Sequence, residues 1–169
     1  MNIILIGMPA SGKSCMGRAI SKSLKMKNLD TDRVIEEKTG RKLQDIINED
    51  GLDAFKRIEE DILSSINGEN LVISTGGSAV YYPHVMEHFR KIGIVVYLYA
   101  SLDTIVARLG DFSKRGVALR PGQTIAELYT ERCELYEKYA HVTVDCDGSN
   151  YNKYRDRAIA AIKMCKDYR

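Results

Sequence analysis

A strand-length, largely apolar run, Asn2 to Ile6, reaches Gly7, and Gly12-Lys13-Ser14 follows after four intervening residues. That spacing, G-x-x-x-x-G-K-[ST] between a strand pattern and a helical pattern, is the signature of a phosphate-binding loop. Gly7 and Gly12 permit backbone angles and close approaches that a Cβ forbids. The amides of Ala10, Ser11, Gly12, Lys13, Ser14 and Cys15 are then expected to turn inward around a phosphate, at the positive end of the helix that opens near Lys13. Lys13 adds a point charge between the β- and γ-phosphates, and the Ser14 hydroxyl is placed to ligate Mg²⁺. The bland alternative, a glycine-bearing turn between a strand and a helix, does not require all four fixed positions at once.

The remaining 155 or so positions must fit around that loop, and 169 residues suffice for one α/β domain but not two. Hydrophobic content of 44% and charged content of 28% are those of an ordinary globular chain. A formal net charge of +2 gives no reason to expect a nucleic-acid or membrane partner, and the apolar runs are too short for a membrane span. Cys15, Cys133, Cys146 and Cys165 form no C-x-x-C pair, so reduced thiols in a cytoplasmic monomer are the simplest expectation.

Helical spacing of Met16, Ala19, Ile20 and Leu24 predicts a helix over 13–25, and a short strand around 27–29 leads into Asp30-Thr31-Asp32. Helices are expected over 33–39, 43–49 and 53–66, a strand over 71–75 running into Gly76-Gly77-Ser78, and a helix from Pro83 to about residue 91. A fourth strand begins at Ile94, Ser101 caps the next helix, and residues 110–122, rich in glycine and basic side chains, read as a mobile loop. A helix over 124–139, a strand over 141–145 and a closing helix over 151–166 complete the chain. Such alternation predicts a five-stranded parallel sheet sandwiched by helices, with ligands beyond the carboxyl ends of the strands. Gly7–Ser14, Asp30–Asp32 and Gly76–Ser78 should therefore converge on one edge.

Taken in order, the phosphate loop, Leu29-Asp30-Thr31-Asp32, Phe55-Lys56-Arg57-Ile58-Glu59, Gly76-Gly77, Arg120-Pro121 and Arg132 through Tyr136 resemble the shikimate kinase family over nearly the whole chain. The resemblance implies a nucleoside-monophosphate-kinase type of fold, with a lid at about 110–122 and acceptor-binding helices at about 31–66. It also implies ATP-dependent phosphorylation of a hydroxyl of shikimate. Phosphoryl transfer depends mainly on positioning and charge neutralisation. Asp30, near Ser14 in such a fold, would hold the Mg²⁺ shell; Asp32 would accept hydrogen bonds from the acceptor and help deprotonate the attacking hydroxyl. The competing reading of Asp-x-Asp is a helix cap. By resemblance, Arg132 grips the acceptor's carboxylate with its fork, Gly76 and Gly77 let the backbone approach the acceptor, Arg108 lies near adenine, and Arg120 is the lid cation. Arg115 is the substitute for Arg120, because this loop reads as longer than the family's.

Three positions depart from the family pattern. Lys56 stands where the family has arginine and keeps the charge but not the two-pronged grip. Ser78 replaces a third glycine, and Gly122-Gln123 replaces the usual leucine after Arg120-Pro121. Two of these fall on the acceptor side, so a related kinase for another hydroxy acid or polyol, gluconate-like, is the alternative. Rivals of other classes are a GTP-dependent switch, for which Asn152-Lys153-Tyr154-Arg155 lacks the needed aspartate, and an inactive nucleotide-binding module. A zinc peptidase on His84-Val85-Met86-Glu87-His88 is a third.

Overall fold

The computed structural model describes residues 1–111, 117–148 and 150–167. The strands are β1 (Asn2–Ile6), β2 (Lys27–Asp30), β3 (Leu71–Ser74), β4 (Gly93–Tyr99) and β5 (Val142–Asp145). The helices are α1 (Lys13–Leu24), α2 (Thr31–Thr39), α3 (Leu43–Asp50), α4 (Leu52–Ser64), α5 (Pro83–Ile92), α6 (Leu102–Leu109), α7 (Ile125–Tyr139) and α8 (Tyr151–Asp167), with a 3-10 turn at Ala79–Tyr81. All five strands are parallel, in the order β2-β3-β1-β4-β5. The fold class expected from the alternation is the one observed.

The central strands are near-continuous apolar runs because helices cover both their faces. Ile3 and Leu5 pack with Met16 and Ile20 of α1 and with Ala158 and Ile162 of α8. Ile4 and Ile6 point the other way, against Val85, Met86 and Phe89 of α5, Ile105 of α6 and Leu128 of α7. A third cluster stands apart from these: Ile35, Ile46, Phe55 and Ile62 join α2, α3 and α4, and Ala118 packs onto it. The helices over 31–66 thus carry their own small core, with the segment after residue 116 resting on it.

Differences from the sequence reading are local. Helix α2 starts at Thr31 rather than residue 33, because Asp30 Oδ1 accepts the Asp32 amide at 3.2 Å and caps the helix there. The cap is therefore Asp30, which leaves the Asp32 carboxylate available. Residues 112–116, Arg115 among them, lie outside the described residues.

Gly17 has a structural role that periodicity does not reveal. A Cβ there would overlap Ser74 Oγ and come within 3.0 Å of Asn28 Oδ1, so its absence lets α1 settle on the ends of β2 and β3. Ser74 Oγ in turn donates to the Lys13 carbonyl at 3.1 Å, tying the phosphate-loop helix to β3. Gly17→Ala gains about 1 kcal/mol of helix propensity but must break that tie. A net loss of about 1–2 kcal/mol is expected, read as a fall in Tm of roughly 2–8 °C. An unchanged Tm in Gly17→Ala would refute the packing argument.

Candidate active site

Strand β1 delivers the loop directly. Gly7 has φ 147° and Gly12 has φ 99°. At Gly7 a Cβ would lie 2.7 Å from the Leu98 carbonyl and 2.9 Å from Ser11 Oγ, so no other residue fits. Ala10 takes a left-handed φ of 64° without being glycine, the kind of local strain that collects at ligand-gripping loops. Gly12 caps α1 with no side-chain hydrogen bond, so the first-turn amides keep their donors uncapped by any side chain. Ser11 Oγ is buried without a partner, and the Ser14 hydroxyl and Cys15 are exposed on the first turn. The Ser11 amide closes a turn onto the Met8 carbonyl at 3.1 Å, and a glycine-bearing loop that ends at a helix N-terminus, with hydroxyls on it, fits a phosphate chain.

Lys13 is almost fully buried, and its ammonium crosses the loop to donate to the carbonyls of Gly7 at 2.7 Å and Met8 at 2.8 Å. Burial pulls its pKa down to about 8; Asp32 and Asp30 oppose the fall and Arg132 adds to it. The two aspartates therefore lie on the loop's side of the sheet. Register explains this: Asp30 pairs with Ser74, and Ser74 with Leu5, two residues before Gly7. Asp32 moves the opposite way, up to about 7, first through burial and then through Glu59 and Asp30, with Lys13 opposing and Glu36 reinforcing the rise. A carboxyl with its proton poised near neutrality is suited to general-base work.

Gly76 and Gly77 follow β3, and polar side chains crowd both; burial pushes the Glu59 carboxyl above its ordinary range. A Cβ on Gly76 would stand 2.5 Å from Glu59 Oε1 and 3.0 Å from Asp32 Oδ1; one on Gly77 would stand 2.7 Å from Arg132 Nη1. Arg132 is buried among neutral partners: Nη2 donates to the Ala118 carbonyl at 3.2 Å, and the guanidinium lies 5.3 Å from the Tyr81 ring centre. It is not the solvated side chain, paired with Glu131 or Glu134, that a helix surface alone would suggest. Lys56 Nζ sits 5.6 Å from the same ring, so both cations flank Tyr81. A cleft of about 150 Å³ lies here, lined by Lys56, Tyr81, Ala118, Arg120 and Glu131 among others.

Two expected contributors are engaged elsewhere in this structure. Arg120 pairs with Glu131 at 2.6 Å on the rim of that cleft, and Glu131 also accepts the Tyr81 hydroxyl. Arg108 donates to the carbonyls of Cys146 at 2.8 Å and Gly148 at 3.2 Å, so it braces the loop after β5. The rival motifs do not form sites. His84 contacts Ser64 and Glu60, whereas His88 contacts the Ile66 carbonyl; Asn152 to Arg155 lie inside α8. Among the described residues no group of three metal-ligating side chains occurs. Sequence reasoning gave no role to Glu59, Tyr81, Tyr82, Glu131 or Tyr136. For Glu59 a signal existed: it shares a helical face with Phe55, Ile62 and Leu63, and an acid on an apolar face asks for an explanation.

A parallel sheet with a lysine-bearing phosphate loop, two aspartates and buried cations at adjacent strand ends defines a phosphate-loop kinase for a small acceptor. Known proteins agree. The shikimate kinase family profile matches residues 9–163. A shikimate kinase of Clostridium botulinum is 38% identical over 172 residues, covering 98% of each chain, and one of Sulfurihydrogenibium is 34% identical over 163 residues, covering 96% of this chain and 98% of its own. The solved structure of shikimate kinase from Acinetobacter baumannii in complex with shikimate superposes with a TM-score of 0.84 at 30% identity, covering 99% of this chain and 94% of that one. The chain belongs to the shikimate kinase family.

Proposed function

We propose that this chain transfers the γ-phosphoryl group of ATP to a hydroxyl of shikimate, giving shikimate 3-phosphate and ADP. The observation that carries the reading is the buried Lys13 ammonium spanning the phosphate loop, with Asp30 at the end of β2 and Gly76-Gly77 after β3 in register beside it. The amides from Ala10 to Cys15 and the Lys13 ammonium hold the phosphates. Lys13 gives up its carbonyl partners on Gly7 and Met8 to do so. Ser14 and Asp30 supply a hydroxyl and a carboxylate, a hard oxygen set that suits Mg²⁺ completed by water and phosphate. Bound there, the metal neutralises charge on the transferring group. Asp32 orients the attacking hydroxyl and takes its proton as the new O–P bond forms and the bond to the ADP oxygen breaks. Arg132 and Lys56 take the acceptor's carboxylate over Tyr81, and Gly76 and Gly77 leave room for its ring.

Arg120 leaves its pairing with Glu131 for the phosphoryl group, and Arg108 serves the adenine end. An exposed pair such as Arg120–Glu131 contributes only about 0.2–1 kcal/mol, so releasing it costs little. We read the enzyme as a cytoplasmic monomer acting on a small molecule. Among the described residues no helix is long and apolar enough to cross a membrane.

An ADP-release assay with shikimate, quinate and gluconate tests the acceptor. Shikimate should show a kcat/KM about a hundredfold or more above the others, the scale that a site built on hydrogen bonds gives. A higher value for gluconate, or for any acid lacking the shikimate ring, would transfer the reading to the alternative kinase.

A further inference from the structure

Ser78 and Tyr82 meet at one buried carboxylate, that of Glu59 on α4. Glu59 has no exposed surface, and its Oε2 accepts the Ser78 hydroxyl at 2.5 Å and the Tyr82 hydroxyl at 2.9 Å. Its Oε1 has no hydrogen-bond partner among the described residues and lies against the bare Cα of Gly76. Arg132, equally buried, is attracted to Glu59 yet makes its hydrogen bonds to Tyr81 and Ala118 instead. The two side chains approach neighbouring residues of one turn: a Cβ on Gly76 would collide with Glu59 Oε1 and one on Gly77 with Arg132 Nη1. A buried glutamate and a buried arginine this near would ordinarily close into a two-pronged ion pair, the strongest hydrogen-bonded arrangement open to either. Closing it would occupy the fork that the acceptor's carboxylate needs. An arginine at position 56, three residues before Glu59 on the same helix face, could engage that carboxylate itself; Lys56 lies over Tyr81 instead.

We propose that Ser78 is a positioning residue for acceptor recognition: with Tyr82 it holds Glu59 off Arg132, and so keeps the guanidinium open to the acceptor's carboxylate. The inference rests on the reading of shikimate as acceptor. It makes the Ser78 hydroxyl a device against self-quenching of the site.

Steady-state kinetics with both substrates varied tests it. Ser78→Ala should raise KM for shikimate about 5- to 30-fold, the effect of about 1–2 kcal/mol, with kcat and KM for ATP within twofold of wild type. Tyr82→Phe, which removes the other hydroxyl on the same oxygen, should move KM for shikimate in the same direction. In a Glu59→Gln background the uncharged amide holds Arg132 far less strongly than a carboxylate, so adding Ser78→Ala should change KM for shikimate by less than twofold. An unchanged KM for shikimate in both hydroxyl variants overturns the proposal, as does an equal fall in all parameters or a full Ser78→Ala effect in the Glu59→Gln background. Wild-type enzyme that fails to phosphorylate shikimate at all would instead refute the acceptor reading, so the two failures are distinct.

Discussion

Lys13→Met is expected to lower kcat by about 10³-fold or more while the protein remains folded, because the loop loses its only lysine ammonium at the transferring phosphate. Two effects on stability oppose each other. The carbonyls of Gly7 and Met8 lose a buried donor, costing about 1–3 kcal/mol. Against that, a cation whose pKa burial has already pulled down to about 8 no longer has to be kept out of water. Methionine matches the length of the side chain, so the site does not become a void. The net shift in Tm should stay within a few degrees. A stopped assay of ADP formation, paired with a thermal melt, separates lost chemistry from lost fold. Near-normal turnover in a folded Lys13→Met protein would remove the basis for the whole site assignment.

Asp32→Asn should show the opposite balance, a large kinetic loss with a gain in stability. Losing the base is expected to lower kcat by about 10²- to 10⁴-fold. The stability sign follows from proton linkage. Asp32 is raised from 3.8 to about 7 in the folded chain, so the native state keeps a proton that the unfolded chain releases. Its contribution is fully present below pH 3.8 and is lost as pH rises through about 7. At pH 8 the wild type therefore carries an ionised carboxylate that is poorly solvated and faces Glu59 and Asp30, and asparagine relieves it. Thermal unfolding at pH 5 and pH 8 checks this: Asp32→Asn should melt higher than wild type at pH 8, and the gap should shrink at pH 5. A lower Tm at pH 8 would mean that Asp32 is held by partners that compensate its charge, and would contradict its assignment as a strained base.

The two variants together describe a site that is maintained at some expense to the fold. A lysine and an aspartate are each pushed toward neutrality by burial. Gly76 and Gly77 are two consecutive residues, yet Glu59, Asp32, Arg132 and Pro9 all approach them closely enough that a Cβ would collide. Side chains from α2, α4 and α7 thus crowd a stretch that has none of its own.

Local signals determined much of this protein. The phosphate loop was legible because its chemistry is contiguous: strand, glycines, lysine and serine follow one another, and their spacing alone dictates an anion cradle. The parallel sheet was legible because central strands buried on both faces must be apolar throughout, as Ile3 to Ile6 and Ile94 to Leu98 are. Asp30 and Asp32 could be marked as candidates, but a dipeptide-scale pattern cannot say which one caps the helix; the fold gave that task to Asp30. What only the tertiary structure decided involves residues far apart in the chain. Glu59, Ser78 and Tyr82 share one carboxylate across two elements, Arg120 rests on Glu131, and Gly17 is fixed by Ser74. None of these has a periodicity or a fixed spacing, because hydrogen bonds and close packing between elements depend on distances in space, which the order of residues along the chain does not encode locally.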